Sequence, residues 1–412
     1  MEPRTRARAT LASALTVVVS TVVSLALVEG ILRIAPLSRR PGPSPSDYGE
    51  AVRGGELGPG GLLKEGFEGR LTDGLGGTIL WKNNAAGFRS REETAAVPPA
   101  GVVRILSMGD SFVAGYRVDQ EATYSRLVEV ALRAAGIRAE VLIAEIEQPA
   151  TGLWWLLHGG FDWRPSLVVL GVTLGNDVAQ TGFSIDPPGE FTLEVGESGV
   201  TMSRRESPVP LSERPEYALR IPAEALAPGA PGKIVPVRRP LRILDLALGP
   251  LAQPIAAARG ASSPHFLFDG VNGLGVFLKA PPPSVEAAFG RLERVLVATE
   301  AAARRNGADL LVVLLPQRFQ VQPEDWTATA RAYGLREAAF DLDGPNRRIA
   351  ALCAADGIAC LDLAGPLREA RSREGRSLYL PGGDMHWNAR GHAAAAAALL
   401  PAVQGRLRAK AP

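Results

Sequence analysis

Five short apolar runs constrain this chain more than anything else in it. They are Val102-Val103-Arg104-Ile105-Leu106-Ser107-Met108, Val141-Leu142-Ile143-Ala144, Ser166-Leu167-Val168-Val169-Leu170-Gly171-Val172, residues 309–315, and Ile358-Ala359-Cys360-Leu361-Asp362-Leu363. Each has strand length and is continuously apolar rather than alternating, which is the pattern of strands covered on both faces and hence of a parallel sheet. Helical stretches are interleaved with them. Residues 122–135 carry Leu127, Val130 and Leu132 near helical spacing and stop at Gly136; a further helix is expected around 153–158. Val285, Phe289, Leu292 and Leu296 form a stripe that ends at Asn306-Gly307, followed by helices over 346–355 and an Ala-rich one over 388–407. The expected fold is therefore a three-layer α/β/α domain with a mainly parallel sheet of about five strands.

Two segments stand outside that pattern. Arg4, Arg6 and Arg8 precede residues 11–28, which hold no charge and are dominated by Val, Leu and Ala. That length suits a bilayer crossing. A cleaved signal peptide begins the same way, but the run is long for one and no Ala-x-Ala site precedes Glu29-Gly30, so an uncleaved anchor over residues 1–35 is the preferred reading. A basic start places the N-terminus in the cytoplasm and the rest on the periplasmic or extracellular side, although Arg33, Arg39 and Arg40 reduce the asymmetry. Residues 36–100, rich in Gly and Pro, read as a tether and docking segment, within which Asn83-Asn84-Ala85-Ala86-Gly87-Phe88-Arg89 joins turn residues to an aromatic suited to burial. Between 183 and 283 prolines recur and periodicity fails, the mark of an insertion into a domain formed by 101–182 and 284–408.

Composition removes several functions. With 412 residues and 46% apolar content the chain can bury a real core, and a net charge of +2 without a basic stripe offers no nucleic-acid footprint. Two cysteines, Cys353 and Cys360, cannot supply a four-ligand structural zinc set; they either pair in an oxidising compartment or serve as small apolar side chains. Any histidine chemistry must come from His158, His265, His386 or His392.

Three polar clusters fall after strands or before helices: Gly109-Asp110-Ser111, Gly175-Asn176-Asp177 and Asp384-Met385-His386. In a parallel sheet the loops at the carboxyl ends converge, so clusters far apart in sequence can meet. Their residue types suit acyl transfer. Ser111 is a nucleophile that needs a base, His386 can be that base, and Asp384 can fix its tautomer and stabilise the imidazolium. Asn176 offers an amide donor which, with the backbone N–H of Ser111 and of a glycine after the second strand, can hold an oxyanion. Taken singly, each cluster is also an ordinary turn or cap. His158 and His392 lie on helices and read as structural.

Gly109-Asp110-Ser111-Phe112-Val113-Ala114-Gly115, Gly175-Asn176-Asp177 and Asp384-Met385-His386-Trp387-Asn388-Ala389-Arg390-Gly391-His392 together resemble the SGNH, or GDSL-type, serine hydrolases, over roughly residues 102–177 and 285–407. The resemblance implies a flavodoxin-like α/β/α sheet and four named positions, Ser111, Gly152, Asn176 and His386, with Gly159 or Gly160 as other candidates for the glycine. In the usual pattern two residues separate the catalytic Asp and His. Here only Met385 does, and Asp-x-His-Trp is similar to the envelope proteins that O-acetylate alginate and related polysaccharides, although those carry the motifs in another chain order.

The expectation is a single-pass, membrane-anchored serine esterase acting on small acyl esters, acetyl above all, of cell-envelope carbohydrate, with no metal or cofactor. One alternative is delivery of the same acyl group to a sugar hydroxyl, supplied by a multi-spanning acetyl-donor partner. Another is a non-catalytic carbohydrate-binding or scaffold domain that retains the fold.

Overall fold

The computed structural model describes residues 48–52, 57–181 apart from 74 and 76, 183–184, 189–196, 199–206, 271–381 and 384–409, with the single positions 20 and 225. The expected anchor (save Ser20), most of the 183–283 insertion and His265 lie outside the described residues. Among those described, no helix is long and apolar enough to cross a membrane.

The chain first forms a short helix α1 (Tyr48–Ala51) and a hairpin of β1 (Glu68–Thr72) and β2 (Thr78–Lys82). It then runs β3 (Val103–Gly109), α2 (Ser111–Ala114), α3 (Tyr124–Ala134), β4 (Ala139–Glu145), α4 (Pro149–Leu157), β5 (Leu167–Thr173) and α5 (Asp177–Gln180). The insertion contributes β6 (Phe183–Ser184), β7 (Gly189–Gly196) and β8 (Gly199–Glu206), which among the described residues form a separate three-stranded sheet, and α6 (Val271–Gly275). The domain resumes with α7 (Pro283–Arg305), β9 (Asp309–Leu315), α8 (Arg318–Val321), α9 (Pro323–Tyr333), α10 (Gly344–Ala355), β10 (Ala359–Asp362), α11 (Ala364–Glu374) and α12 (Ala389–Ala409).

The main sheet has the order β10-β9-β5-β3-β4, with every neighbouring pair parallel. The chain leaves β3 for β4 on one side and returns to β5 on the other. Loops leaving β3 and β5 therefore diverge around a crevice at the carboxyl edge, where open α/β sheets bind their ligands. Alternate residues sort the core into two layers. Leu106, Met108, Val168, Leu170, Val172, Val312 and Leu314 face α7 through Val285, Phe289, Leu292 and Leu296. Ile105, Val169, Leu311 and Val313 face α3 and α12 through Val128, Leu132, Ala395, Leu399 and Val403. The five apolar runs are thus read correctly as strands of a parallel sheet, with β4 and the half-buried β10 at its edges.

The segment before the sheet is more ordered than its composition suggests. β1 and β2 pair antiparallel, Gly69 opposite Trp81, and Leu63, Leu71, Trp81 and Ala51 close a small core onto Ala114. The hairpin escapes a hydrophobicity reading because only Leu71 of β1 is buried. Leu62 N donates to Glu145 O (2.8 Å) and Arg89 N to Ile143 O (3.0 Å), so this segment lies along the outer strand β4, with Phe88 fully buried. Helices α8, α9 and α11 were likewise not expected. α9 opens with Pro323 followed by Glu324 and Asp325, residues that favour a helix start. Cys353 and Cys360 are free thiols on α10 and β10.

Candidate active site

β3 ends at Gly109, and Asp110 caps the short α2, its Oδ1 accepting from Phe112 N at 3.0 Å. That cap turns the chain sharply, and Ser111 becomes the first helical residue at the rim of the sheet. Ser111 Oγ lies 2.7 Å from His386 Nε2, and His386 Nδ1 lies 2.7 Å from Asp384 Oδ1, which also accepts from His386 N at 3.0 Å. Residues separated by 275 positions are therefore within hydrogen-bond reach.

The loop bearing Asp384 and His386 is held at several points. Leu380 N donates to His386 O (2.9 Å), and Asn388 N to Leu378 O (2.9 Å). Trp387 is fully buried and meets Phe112 edge-on at 5.4 Å. Asn388 Oδ1 accepts from Arg390 N (2.9 Å) and Gly391 N (3.1 Å) at the start of α12. Arg318 donates through Nη1 to the carbonyls of Leu380 (2.7 Å) and Asp384 (3.0 Å), while its Nε pairs with buried Asp325 at 2.7 Å. Burial alone would raise the Asp384 carboxyl, but the hydrogen bond and charge of His386, with the Arg117 charge, hold it below the usual carboxylate range. Arg117 Nη1 stands 3.4 Å from Asp384 Oδ2. Asp384 is thus kept as the ionised partner that a His386 imidazolium requires.

Asn176 follows β5 across the crevice. Its Nδ2 donates to Asp110 Oδ2 at 3.1 Å, which places the amide against the cap of the Ser111 turn and leaves its second N–H for another acceptor. Asp177 is fully buried; desolvation, then the charge of Asp110, push its carboxyl well up, against the backbone N–H of Thr173. Glu145, at the end of β4, is pushed up to about 7 by burial and by Asp110, while a hydrogen bond from Tyr48 and the charge of Arg89 oppose the rise.

Gly152 does not take the place expected of it. It lies inside α4, its N–H is spent on Gln148 O at 3.0 Å, and a Cβ there would run into Ile146 and Met108 rather than into the crevice. Gly159 and Gly160 follow α4 toward the amino edge of the sheet, the end opposite Ser111. The helix starts at Pro149, earlier than the run around 153–158 suggests, and that shift carries Gly152 into a hydrogen-bonded turn. His392 is fully buried, where desolvation lowers it to about 3, and its Nδ1 accepts from Tyr124 N at 3.3 Å. It packs on Trp387, the neighbour of His386, at 5.6 Å, while His158 is stacked on Trp154 at 4.3 Å. Among the described residues no cluster of His, Cys, Asp and Glu could hold a metal ion.

Sequence reasoning did not single out Tyr116, Arg117, Glu145 or Arg318. Glu145 had a usable signal, being a carboxylate at the end of an apolar strand. The arginines had none, since their partners are carbonyls and a carboxylate brought close only by folding.

A serine, an imidazole and a carboxylate in series, with an asparagine beside the serine turn, form an arrangement able to carry out acyl transfer. Residues 279–411 match the family described as SGNH hydrolase-like domain, acetyltransferase AlgX. The match spans Asp384 and His386 and begins after Ser111 and Asn176. No curated protein sequence matches the chain. Among solved structures, TesA is 14% identical over 74% of this chain and 99% of its own, with a TM-score of 0.35. The acetyl xylan esterase AlAXEase is 12% identical over 73% and 100%, with a TM-score of 0.38. An Axe2 variant, an acetyl xylan esterase from Geobacillus stearothermophilus, is 11% identical over 74% and 96%, with a TM-score of 0.35. Residues 279–411 are thus similar to an SGNH hydrolase-like acetyltransferase domain.

Proposed function

We propose that this protein is a membrane-anchored serine esterase that removes small acyl groups, acetyl above all, from cell-envelope carbohydrate. The observation that carries the reading is the continuous Ser111-His386-Asp384 hydrogen-bond series, with both links at 2.7 Å. Ser111 Oγ attacks the ester carbonyl as its proton passes to His386 Nε2. Asp384, held ionised, stabilises the imidazolium. The oxyanion is met by the Ser111 backbone N–H and the second N–H of Asn176 Nδ2. Collapse breaks the bond to the alcohol oxygen, which takes the proton from His386 and leaves, and the acyl group stays on Ser111. Water then gives a proton to His386 as its oxygen attacks the acyl-serine; collapse breaks the bond from the acyl carbon to Ser111 Oγ, which takes the proton back from His386, and the carboxylic acid leaves. Phe112 and Tyr116 lie with ring centroids 4.9 and 4.6 Å from that of His386, which favours a short acyl chain. The charge-free run 11–28 supports the anchor, with the domain on the periplasmic or extracellular side.

A sugar hydroxyl replacing water at the second step makes the same site an O-acetyltransferase, which needs a membrane partner to deliver acetyl. The Asp384-Met385-His386-Trp387 spacing and the match over 279–411 favour that variant. The test is intact-mass spectrometry of the full-length protein in detergent after p-nitrophenyl acetate and, separately, a fluorophosphonate. A single adduct that Ser111→Ala abolishes is expected. A folded wild-type protein that takes no adduct removes the enzymatic reading and favours a binding or scaffold role. Product analysis with an acetylated donor and an oligosaccharide then separates water from sugar as acceptor.

A further inference from the structure

The turn over residues 114–118 touches every member of the triad. It leaves the helix that starts with Ser111, and Tyr116 N donates to Ser111 O at 2.9 Å. The Tyr116 ring packs on His386 at 4.6 Å. Arg117, with the uncommon φ of +58° for a residue with a side chain, pairs with Asp384 at 3.4 Å. A backbone in that region persists only where its surroundings impose it.

Arg89 supplies that imposition. Its guanidinium is buried at 1% exposure and donates through Nη1 to the carbonyls of Ala114 and Gly115 (2.7 Å to the latter) and through Nη2 to that of Val118. Gly115 has φ +75°, and a Cβ there would stand 2.6 Å from Arg89 Nη1, so the glycine leaves the approach open. The cation lies over Trp81 of the hairpin, 3.7 Å from the ring centroid. Tyr48 extends the same support. It meets Trp81 at 5.2 Å and Tyr116 at 4.8 Å, both edge-on, and its hydroxyl donates to Glu145.

We propose that Arg89 is a positioning residue for the candidate nucleophile, and that the segment before the sheet, through Trp81 and Tyr48, completes the active site rather than merely linking it to the N-terminus. One planar fork on three carbonyls fixes the turn, and the turn fixes Ser111, His386 and Asp384 relative to one another. A lysine, with a single point charge and no fork, cannot hold the same three oxygens. The inference rests on the reading of Ser111 as nucleophile.

The test uses the full-length protein and its Arg89→Lys, Trp81→Phe and Ser111→Ala variants. Three quantities are measured: the second-order rate of fluorophosphonate labelling, kcat and KM for p-nitrophenyl acetate, and the unfolding midpoint. Displacing reacting groups by around 1 Å costs on the order of 10²-fold. Arg89→Lys is expected to label about that much more slowly, with kcat falling and KM little changed. Trp81→Phe, which keeps a ring under the cation but drops the Nε1–H bond to Asn83 (2.8 Å), is expected to lose activity in the same sense at a retained midpoint. If Arg89→Lys does not fold, Trp81→Phe decides. Wild-type labelling and kcat in the folded variants overturn the inference alone. A wild-type protein that does not label overturns it together with the assigned nucleophile.

Discussion

Replacing Gly152 by alanine separates the two roles that this glycine can have. If it lined the oxyanion site, an added methyl would crowd the substrate and lower activity in a protein of unchanged stability. The structure argues for the reverse. An ideal Cβ would stand 2.4 Å from Ile146 Cδ1 and 2.5 Å from Met108 Cε, both on fully buried side chains. Forcing a methyl into a packed core costs about 1–3 kcal/mol. Against that, Gly to Ala in a helix interior stabilises by about 1 kcal/mol, and the thioether end of Met108 yields more easily than a branched side chain. The net expectation is a loss of up to about 2 kcal/mol, or a midpoint lowered by a few degrees in a domain of this size. Activity per folded molecule should stay within about threefold, because the N–H of Gly152 is spent on Gln148 O and the added methyl points at Ile146 and Met108. Thermal unfolding followed by circular dichroism, with p-nitrophenyl acetate turnover normalised to fluorophosphonate titration, measures both quantities. A variant with the wild-type midpoint and a tenfold or greater loss of turnover would refute the assignment of Gly152 to the core.

Asn176→Ala removes the proposed oxyanion donor and the 3.1 Å bond to the Asp110 cap, so kcat/KM should fall around a hundredfold, roughly 3 kcal/mol of transition-state stabilisation. A value within threefold of wild type would assign the amide to the Asp110 cap alone. Glu145→Gln tests the buried carboxyl beside that cap. A folded value of about 7 against an ordinary 4.5 means that the native state holds this proton longer than the unfolded chain. Ionisation therefore costs stability as pH rises between those values, up to about 3 kcal/mol by pH 8. The glutamine variant should be the more stable protein at pH 8 and lose that advantage toward pH 4.5, measured by urea unfolding at each pH. A stability difference independent of pH would remove Glu145 as the titrating group.

The sheet was legible because its signal is local. Runs such as residues 167–173 are apolar but for Thr173 and buried throughout, and only a central strand with helices on both sides makes use of that. Ser111 and Asn176 could be nominated from residue type and position after a strand, since a parallel sheet sends those loops to one edge, whereas Asp384 and His386 could be nominated only from residue type and position before the last helix. The β1–β2 hairpin was not legible, because its strands bury few side chains and its order comes from pairing and from the packing of Leu71 and Trp81 on Ala51, Leu63 and Ala114. Gly152 misled because a glycine after the second strand is the motif, whereas a helix starting three residues earlier decides what its N–H can reach.

By itself, then, the sequence determined the layers and nominated the three polar clusters, since each follows from side-chain identity and a period along the chain. Only the tertiary structure decided that Ser111, His386 and Asp384 lie in register at 2.7 Å, that Gly152 faces the core, and that Arg89 grips the turn after the serine. The physical reason is common to all three. Hydrogen bonds fix geometry over tenths of an ångström between groups that may be hundreds of residues apart, and backbone carbonyls, which every residue carries alike, leave no trace in the sequence of which side chain will find them.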